Sequence, residues 1–274
     1  MSKWTGVLKL DMENRRGRTV AKKVYFQGAF KVMRPVYHNN GSTPCYYVLN
    51  PGGGYLDGDT YSMTVSLDEG AELTLTTQSS TKVYKTLHSH AYQETTFYLK
   101  KDSYLEYLPD ALIAYKDAKY YQKNVVHMAE GATLLYSDIV TPGWSPEGKQ
   151  FSYDMLRLKN EIYMEGELVA FDHIKLQPGE QDMTGLGFME GYTHLGSFIV
   201  IGEKTDEKLL DQLYEAIQKE TGDFSFGLSQ LTVPGFSVRI MANYTQVIER
   251  IITVCHHIIT DEWYQKKPSF LRKY

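Results

Sequence analysis

The chain has 274 residues, of which 42% are apolar and 23% charged, with a net charge of −4. That length suits one large all-β domain or two small ones, and the composition is that of an ordinary globular protein, which excludes general disorder. The mild acidity argues against a nucleic-acid binder, because neutralising phosphates needs a basic face.

The N-terminus, Met1 to Gly6, is not followed by an apolar signal core. No stretch approaches the about 20 apolar residues that a membrane-spanning helix needs. Cys45 and Cys255 stand far apart. Two reduced thiols in a soluble, cytoplasmic protein are the expectation, with no membrane partner.

The cluster Asn50-Pro51-Gly52-Gly53-Gly54, continuing to Asp57-Gly58-Asp59, comes first among the motifs. No Gly-Lys-Ser/Thr follows it, and a period-two strand, not a helix, comes next, so it is not a nucleotide loop. Pro51, Gly52, Gly53, Gly54 and Gly58 read as a tight turn. Asp57 and Asp59 offer oxygen ligands to a cation or hydrogen bonds to turn amides. Counting from Asp57, position twelve is Asp68, too short for the bidentate Glu of a calcium loop.

Strands with alternating polarity are expected at Thr60–Leu67, Leu73–Thr77, Thr95–Leu99 and Ser103–Leu108. Others are expected at Val125–Met128, Thr133–Tyr136, Glu161–Met164 and Leu168–Phe171. Asp68-Glu69-Gly70-Ala71 and Ala129-Glu130-Gly131-Ala132 each precede a strand, and Lys101-Asp102-Ser103 occupies a similar place between them. This soft repeat suits layered β-structure, and chance recurrence of a good turn explains it equally well. His88 and His90 would share one face of a strand and could pair on Zn²⁺ or Ni²⁺, but no third ligand is evident and no tight metal site is expected.

The C-terminal third changes character. A helix is expected over about 205–221, with Thr205 as N-cap and a stripe of Leu209, Leu210, Leu213 and Ile217. A second is expected over about 244–263, with a stripe of Val247, Ile251, Val254, Ile258 and Ile259, and Pro268 beyond it. Adjacent His256 and His257 point in different directions, and the tail Lys266-Lys267 with Arg272-Lys273 is read as solvated. The 22 tyrosines against 11 phenylalanines favour sheets and half-buried surfaces. The fold expected is one mainly β domain over 1–274. It is a layered, β-helix-like or sandwich-like array of many short strands over about 1–203, with two α-helices in the last third.

No Gly-x-Ser-x-Gly or His-Glu-x-x-His occurs, and no enzyme constellation emerges. Two segments carry more information. Asn50-Pro51-Gly52-Gly53-Gly54 through Asp59 is followed by Thr76-Thr77-Gln78-Ser79-Ser80-Thr81-Lys82, bridged by Asp68-Glu69-Gly70-Ala71. In that order the chain resembles the urease accessory protein family UreD, also called UreH. The resemblance extends to Tyr107-Leu108-Pro109-Asp110, to Tyr136-Ser137-Asp138-Ile139 and to Val238-Arg239-Ile240-Met241-Ala242.

The resemblance implies a non-catalytic chaperone of urease maturation. Such a protein binds apo-urease and UreF, reaches the GTPase UreG through UreF, and passes Ni²⁺ through an internal passage without retaining a cofactor. Weak oxygen donors suit an ion in transit better than a Cys/His cage. The path candidates are Asp57, Asp59, Ser79, Ser80 and Asp138. Lys82 and Trp144 are candidates for partner contact. Relatives often carry Gly-Arg after the strand of Asp138, whereas this chain has Thr141-Pro142-Gly143-Trp144, where an exposed Trp would anchor an interface. The alternative is a carbohydrate-active enzyme on a β-solenoid or sandwich, with paired carboxylates across a cleft.

Overall fold

The structure is a computed structural model that describes residues 4–38 and 41–264. Its strands, in chain order, are β1 (Gly6–Arg15), β2 (Arg18–Gly28), β3 (Lys31–Val32), β4 (Val36–Tyr37), β5 (Pro44–Leu49), β6 (Thr60–Leu67), β7 (Glu72–Thr77), β8 (Thr81–Val83), β9 (Ala91–Leu99) and β10 (Tyr104–Tyr107). They continue with β11 (Leu112–Ala114), β12 (Lys119–Met128), β13 (Thr133–Val140), β14 (Met155–Met164), β15 (Glu167–Leu176) and β16 (His194–Ile201). Helix α1 (Glu207–Gln218), β17 (Phe224–Gln230), β18 (Gly235–Ala242) and α2 (Thr245–Tyr264) complete the chain.

The chain winds between two sheets. One runs β15-β14-β12-β9-β6-β1-β2, parallel from β1 to β14 and closed by an antiparallel strand at each end. We call it the first sheet. The second runs β17-β18-β16-β13-β10-β7-β5-β3, with β5, β7, β10 and β13 parallel. Each circuit goes up a strand of the first sheet, turns a corner and enters a strand of the second. Stacked circuits make a β-solenoid.

The corners are the repeat seen in the sequence. Gly70, Asp102 and Gly131 take positive φ of 63°, 56° and 81° at equivalent points of three successive corners. Each backbone bends back on itself, with Ala71, Ser103 and Ala132 N–H donating to the carbonyls of Asp68, Lys100 and Ala129. Tyr104 N–H then reaches Ala71 O, and Thr133 N–H reaches Ser103 O, tying corner to corner. Glycine accepts that conformation freely and aspartate tolerates it, which is why these residue types recur.

Alternate residues of every long strand point between the sheets. Leu8, Leu10, Val65, Phe97, Leu105, Leu134, Leu156 and Leu158 lie in that core, each at most 1% exposed. The outer face of the second sheet has its own core. Phe198, Val200, Phe236, Val238 and Ile240 pack there against Leu209, Leu213 and Ile217 of α1 and Ile248, Ile251 and Ile259 of α2. Burying each such side chain contributes about 1.5–3 kcal/mol.

Several local expectations change. Asp206, not Thr205, caps α1, its Oδ1 accepting from Leu209 N–H at 2.8 Å. Thr205 sits one residue too early and bonds Gly202 O instead. The buried stripe of α2 is rotated to Ile248, Ile251, Ile252, Cys255, His256, Ile259 and Trp263, leaving Val247, Val254 and Ile258 only partly covered. The sequence reading gave weight only to aliphatics, whereas Cys255 and a paired His256 also face inward. Strands β17 and β18 lie between the two expected helices, in a stretch for which no strand was expected. His88 and His90 lie in a bend before β9, and Ser79 and Ser80 lie between β7 and β8, so none of the four is on a strand. Pro268 and the basic tail lie outside the described residues.

Candidate functional site

The inner face is not uniformly apolar. Thr95, Asn124, Asn160 and Asp172 occupy neighbouring register positions across the first sheet. Opposite them, Asp138, Ser197 and Arg239 neighbour one another across the second. All but Arg239 share parity with inward core residues on their strands, and Arg239 faces inward because it alternates with Val238 and Ile240, which face the helices, and reaches Asp172 across the gap. Thr95, Asn124, Asn160, Asp138 and Ser197 are buried. Two facing ladders therefore build a polar lane through the sandwich.

Hydrogen bonds link the lane across the gap. Asn124 Nδ2 donates to Tyr136 Oη at 2.9 Å and to Asn160 Oδ1 at 2.8 Å. Asn160 Nδ2 reaches Asp138 Oδ2 at 3.3 Å and Asp172 Oδ2 at 3.4 Å. Gln122 Nε2 donates to Asp138 Oδ1 at 3.1 Å, and Tyr136 Oη donates to Asp138 Oδ2. Asp172 is ion-paired with Arg239 at one end. Toward the other end, Tyr120 Oη donates to Gln122 Oε1 at 3.2 Å and Tyr55 Oη donates to Gln93 Oε1. Tyr55 stacks on Tyr61 with centroids 3.9 Å apart, and Tyr61 Oη donates to Asp59 Oδ2 at 3.0 Å. Asn124 Oδ1 and Ser197 Oγ are buried without a partner among the described residues. Buried polar atoms left so are uncommon and mark places where a water or ion belongs.

Burial pushes Asp138 up to about 6, although bonds from Tyr136, Gln122 and Asn160 favour its charged form and Asp172 nearby adds to the rise. Burial likewise holds Tyr55, Tyr120 and Tyr136 well above the ordinary phenol range, so these hydroxyls stay protonated. The lane thus offers many neutral oxygens around few carboxylates. Among the described residues, no three His, Cys, Asp or Glu side chains converge as a metal site.

A cavity of about 70 Å³ adjoins this lane, bordered by Asn50, Gly54, Ser79, Ser80, Lys82, Gln122 and Asp138. It has room for a few waters. The glycine turn forms one wall by close approach. A Cβ on Gly54 would stand 2.7 Å from Lys82 O, so only glycine lets the turn sit against β8. Gly52 N–H donates to Asn50 Oδ1 and Gly53 N–H to Asn50 O, which holds Pro51, Gly52 and Gly53 in the bend. Gly58 takes a positive φ of 75° between the two aspartates.

The candidate residues divide into two groups. Asp138, Ser79, Ser80 and Lys82 come together at the cavity. Asp57 and Asp59 do not border it. Asp57 accepts the backbone N–H groups of His88 and Ser89 at 3.0 and 2.9 Å, and these bonds lower its pKa. Asp59 accepts Leu56 N–H at 2.8 Å and touches the lane only through Tyr61. Trp144 is 49% exposed, its ring 4.9 Å from that of Tyr115. Gln93, Gln122, Asn124, Asn160, Asp172 and the tyrosines are the members that sequence reasoning missed. The available signal was the tyrosine excess, together with amides at inward positions of strands.

The model of the family described as UreD urease accessory protein matches residues 5–273. This chain belongs to the UreD family. It is 47% identical over 274 residues to the urease accessory protein UreD of Lachnoclostridium phytofermentans, covering 100% of both chains. It is 46% identical over 273 residues to that of Staphylococcus saprophyticus, covering 99% of this chain and 98% of the relative. The Staphylococcus aureus protein of strain RF122 is 45% identical over the same length and coverage. Family membership gives the polar lane a context. Asn160 joins the two carboxylates, of which Asp138 is buried while Asp172 lines a surface hollow beside Arg239.

Proposed function

We propose that this chain acts in urease maturation as a non-catalytic scaffold that conducts Ni²⁺ along its internal polar lane to the urease apoprotein. The observation that carries this reading is the run of buried oxygen donors inside a member of the UreD family. A hydrated dication cannot cross an apolar core, because desolvation costs far too much without replacement ligands. Neutral amide and phenol oxygens replace part of the hydration shell and release the ion again. Asp138 supplies the charge that draws the ion in, with Ser79 and Ser80 at the adjoining cavity. Asp57 and Asp59, just beyond the glycine turn that walls the cavity, are the candidates for the approach to it.

In this reading apo-urease and UreF bind the chain directly, UreG joins through UreF and hydrolyses GTP, and the assembly works in the cytoplasm. Trp144 and Lys82 are contact candidates. Nickel is cargo and leaves with the urease.

The test is urease activation from apo-urease, Ni²⁺, GTP, UreF and UreG. Activation should require this chain. Asp138→Asn keeps the shape and removes the charge, and it turns one of the two acceptor oxygens into an amide donor. It should lower activation at least tenfold at limiting nickel while leaving association with UreF unchanged. Equal activation without the chain would sink the whole reading. Full activation by Asp138→Asn would remove that carboxylate from the path.

A further inference from the structure

The two end strands of the first sheet are finished differently. At one end, β15 carries charge along its length, with Glu167, Asp172, His173 and Lys175, and Lys159 lies over the ring of exposed Phe171. At the other end, β2 carries Arg18, Lys22 and Lys23 in its first half, and then five residues, Val24 to Gly28, without a charge or a proline. Natural edge strands are normally blunted by charge, proline or a covering element. Among the described residues, no strand pairs with the outer edge of β2, although its start is covered where Thr19 N–H donates to Ser42 O and Tyr37 Oη donates to Thr19 O. The stretch from Val24 to Gly28 is the open part.

The core is also unfinished there. Val24 is paired with Leu10 and Phe26 with Leu8, so both point to the inner side of the sheet. Leu8 and Leu10 are fully buried, yet Val24 and Phe26 are 41% and 42% exposed. Nearby Met33 and Val36 are 66% and 44% exposed. A solenoid needs a terminal unit with a polar outer side to end its core. This end has none among the described residues.

The surround is basic. Arg16, Lys23, Lys31 and Arg34 are exposed and make no ion pair among the described residues, although Asp11 stands opposite Lys23. Lys22 reaches Asp68 only at 3.5 Å, and Arg15 is held by Glu13. A second copy paired antiparallel over the full length of β2 would be centred at Lys23 and bring the Lys22 and Lys23 of the two copies together, which is unfavourable. A partner strand bearing carboxylates would meet those charges favourably and extend the sheet through main-chain hydrogen bonds.

We infer that the free edge of β2 is a docking site for an extended, acidic segment of a partner protein. The segment adds one strand to the first sheet, seats apolar side chains on Val24 and Phe26, and directs carboxylates toward Arg16, Lys22 and Lys23. The inference rests on the maturation reading for where the partner is sought, namely among apo-urease, UreF and UreG.

The test is hydrogen exchange on the full chain, alone and in the assembly with those three proteins. Exchange of those β2 amides between Val24 and Gln27 that face away from β1 should slow at least tenfold on assembly. Phe26→Lys and Val24→Lys, each checked for an unchanged urea midpoint, should weaken association at least tenfold. Lys22→Glu with Lys23→Glu should weaken it most at low salt. If the assembly forms with β2 exchange unchanged and both lysine variants bind normally, this inference fails and the maturation reading stands. If no assembly forms, both fail. Dimerisation of the chain alone that Phe26→Lys abolishes would overturn the choice of an acidic partner.

Discussion

The outer faces of the two sheets solve the same problem in opposite ways. The second sheet hides its outer face beneath α1 and α2, and a charged pair is buried with it. His256 Nε2 of α2 lies 2.8 Å from Glu106 Oε1 of β10, with the side chains 9% and 6% exposed. Tyr104 and Thr74 hydroxyls donate to the same carboxylate. The first sheet leaves its outer face open and fills it with half-exposed pairs such as Lys159 with Glu161, and with the ring stack Tyr98–His127–Tyr163. Exposed pairs contribute little, because water already solvates both ions. The buried pair fixes where α2 sits, since neither charge tolerates the loss of its partner. Polar groups therefore position a helix on one face and keep a bare sheet in solution on the other.

Breaking the buried pair should have the largest effect. His256→Ala removes the counter-charge of the buried Glu106 and should cost about 3–5 kcal/mol of unfolding free energy, read from urea denaturation. The same pair sets a pH profile. Burial raises the Glu106 pKa, but His256, Tyr104 and Thr74 outweigh it and hold the group at about 2. Burial lowers the His256 pKa, but Glu106 outweighs it and the net shift is upward from 6.5. The glutamate contribution is complete above its unfolded value of 4.5 and is lost as pH falls toward about 2. The histidine contribution is complete below 6.5 and is lost as pH rises through the raised value. Stability from the pair should therefore be greatest between 4.5 and 6.5 and decline on either side. A profile that His256→Ala leaves unaltered would refute that assignment.

A smaller effect should come from the cap of α1. Asp206→Ala removes the acceptor for Leu209 N–H and should cost about 1 kcal/mol, with Asp206→Asn recovering most of it. On the open face, Tyr98→Ala should cost about 0.5 kcal/mol through the lost ring stack. Lys159→Ala should shift the urea midpoint far less than His256→Ala. A midpoint shift there as large as that of His256→Ala would erase the contrast between the faces.

What the sequence revealed follows the same physics. Regular alternation at Thr60–Leu67 made β6 readable to its last residue. Strands β9, β12 and β14 were read only as their apolar ends, because Gln93, Asn124 and Asn160 break the pattern at inward positions. The residues that build the polar lane are thus the residues that concealed its strands. Asp138 was found only through the family resemblance. The corner repeat looked no better than chance until three positive-φ residues were seen stacked. The paired motifs at Asn50–Gly54 and Thr76–Lys82 come together because β8 runs against the glycine turn, a contact that strand periodicity does not encode.

The parallel stacking has a kinetic consequence. A hairpin closes an antiparallel pair within a few residues, but each parallel link from β6 to β9, β9 to β12 and β12 to β14 closes only after the chain has completed a full circuit. Loop closure must precede any gain from those contacts, so folding should be slow for a chain of this stability. During that interval each finished coil presents a bare strand until the next arrives, and such edges recruit other chains. The order in which coils emerge from synthesis is also the order in which they template one another, so a delay at a late coil leaves the last finished one most at risk of aggregation.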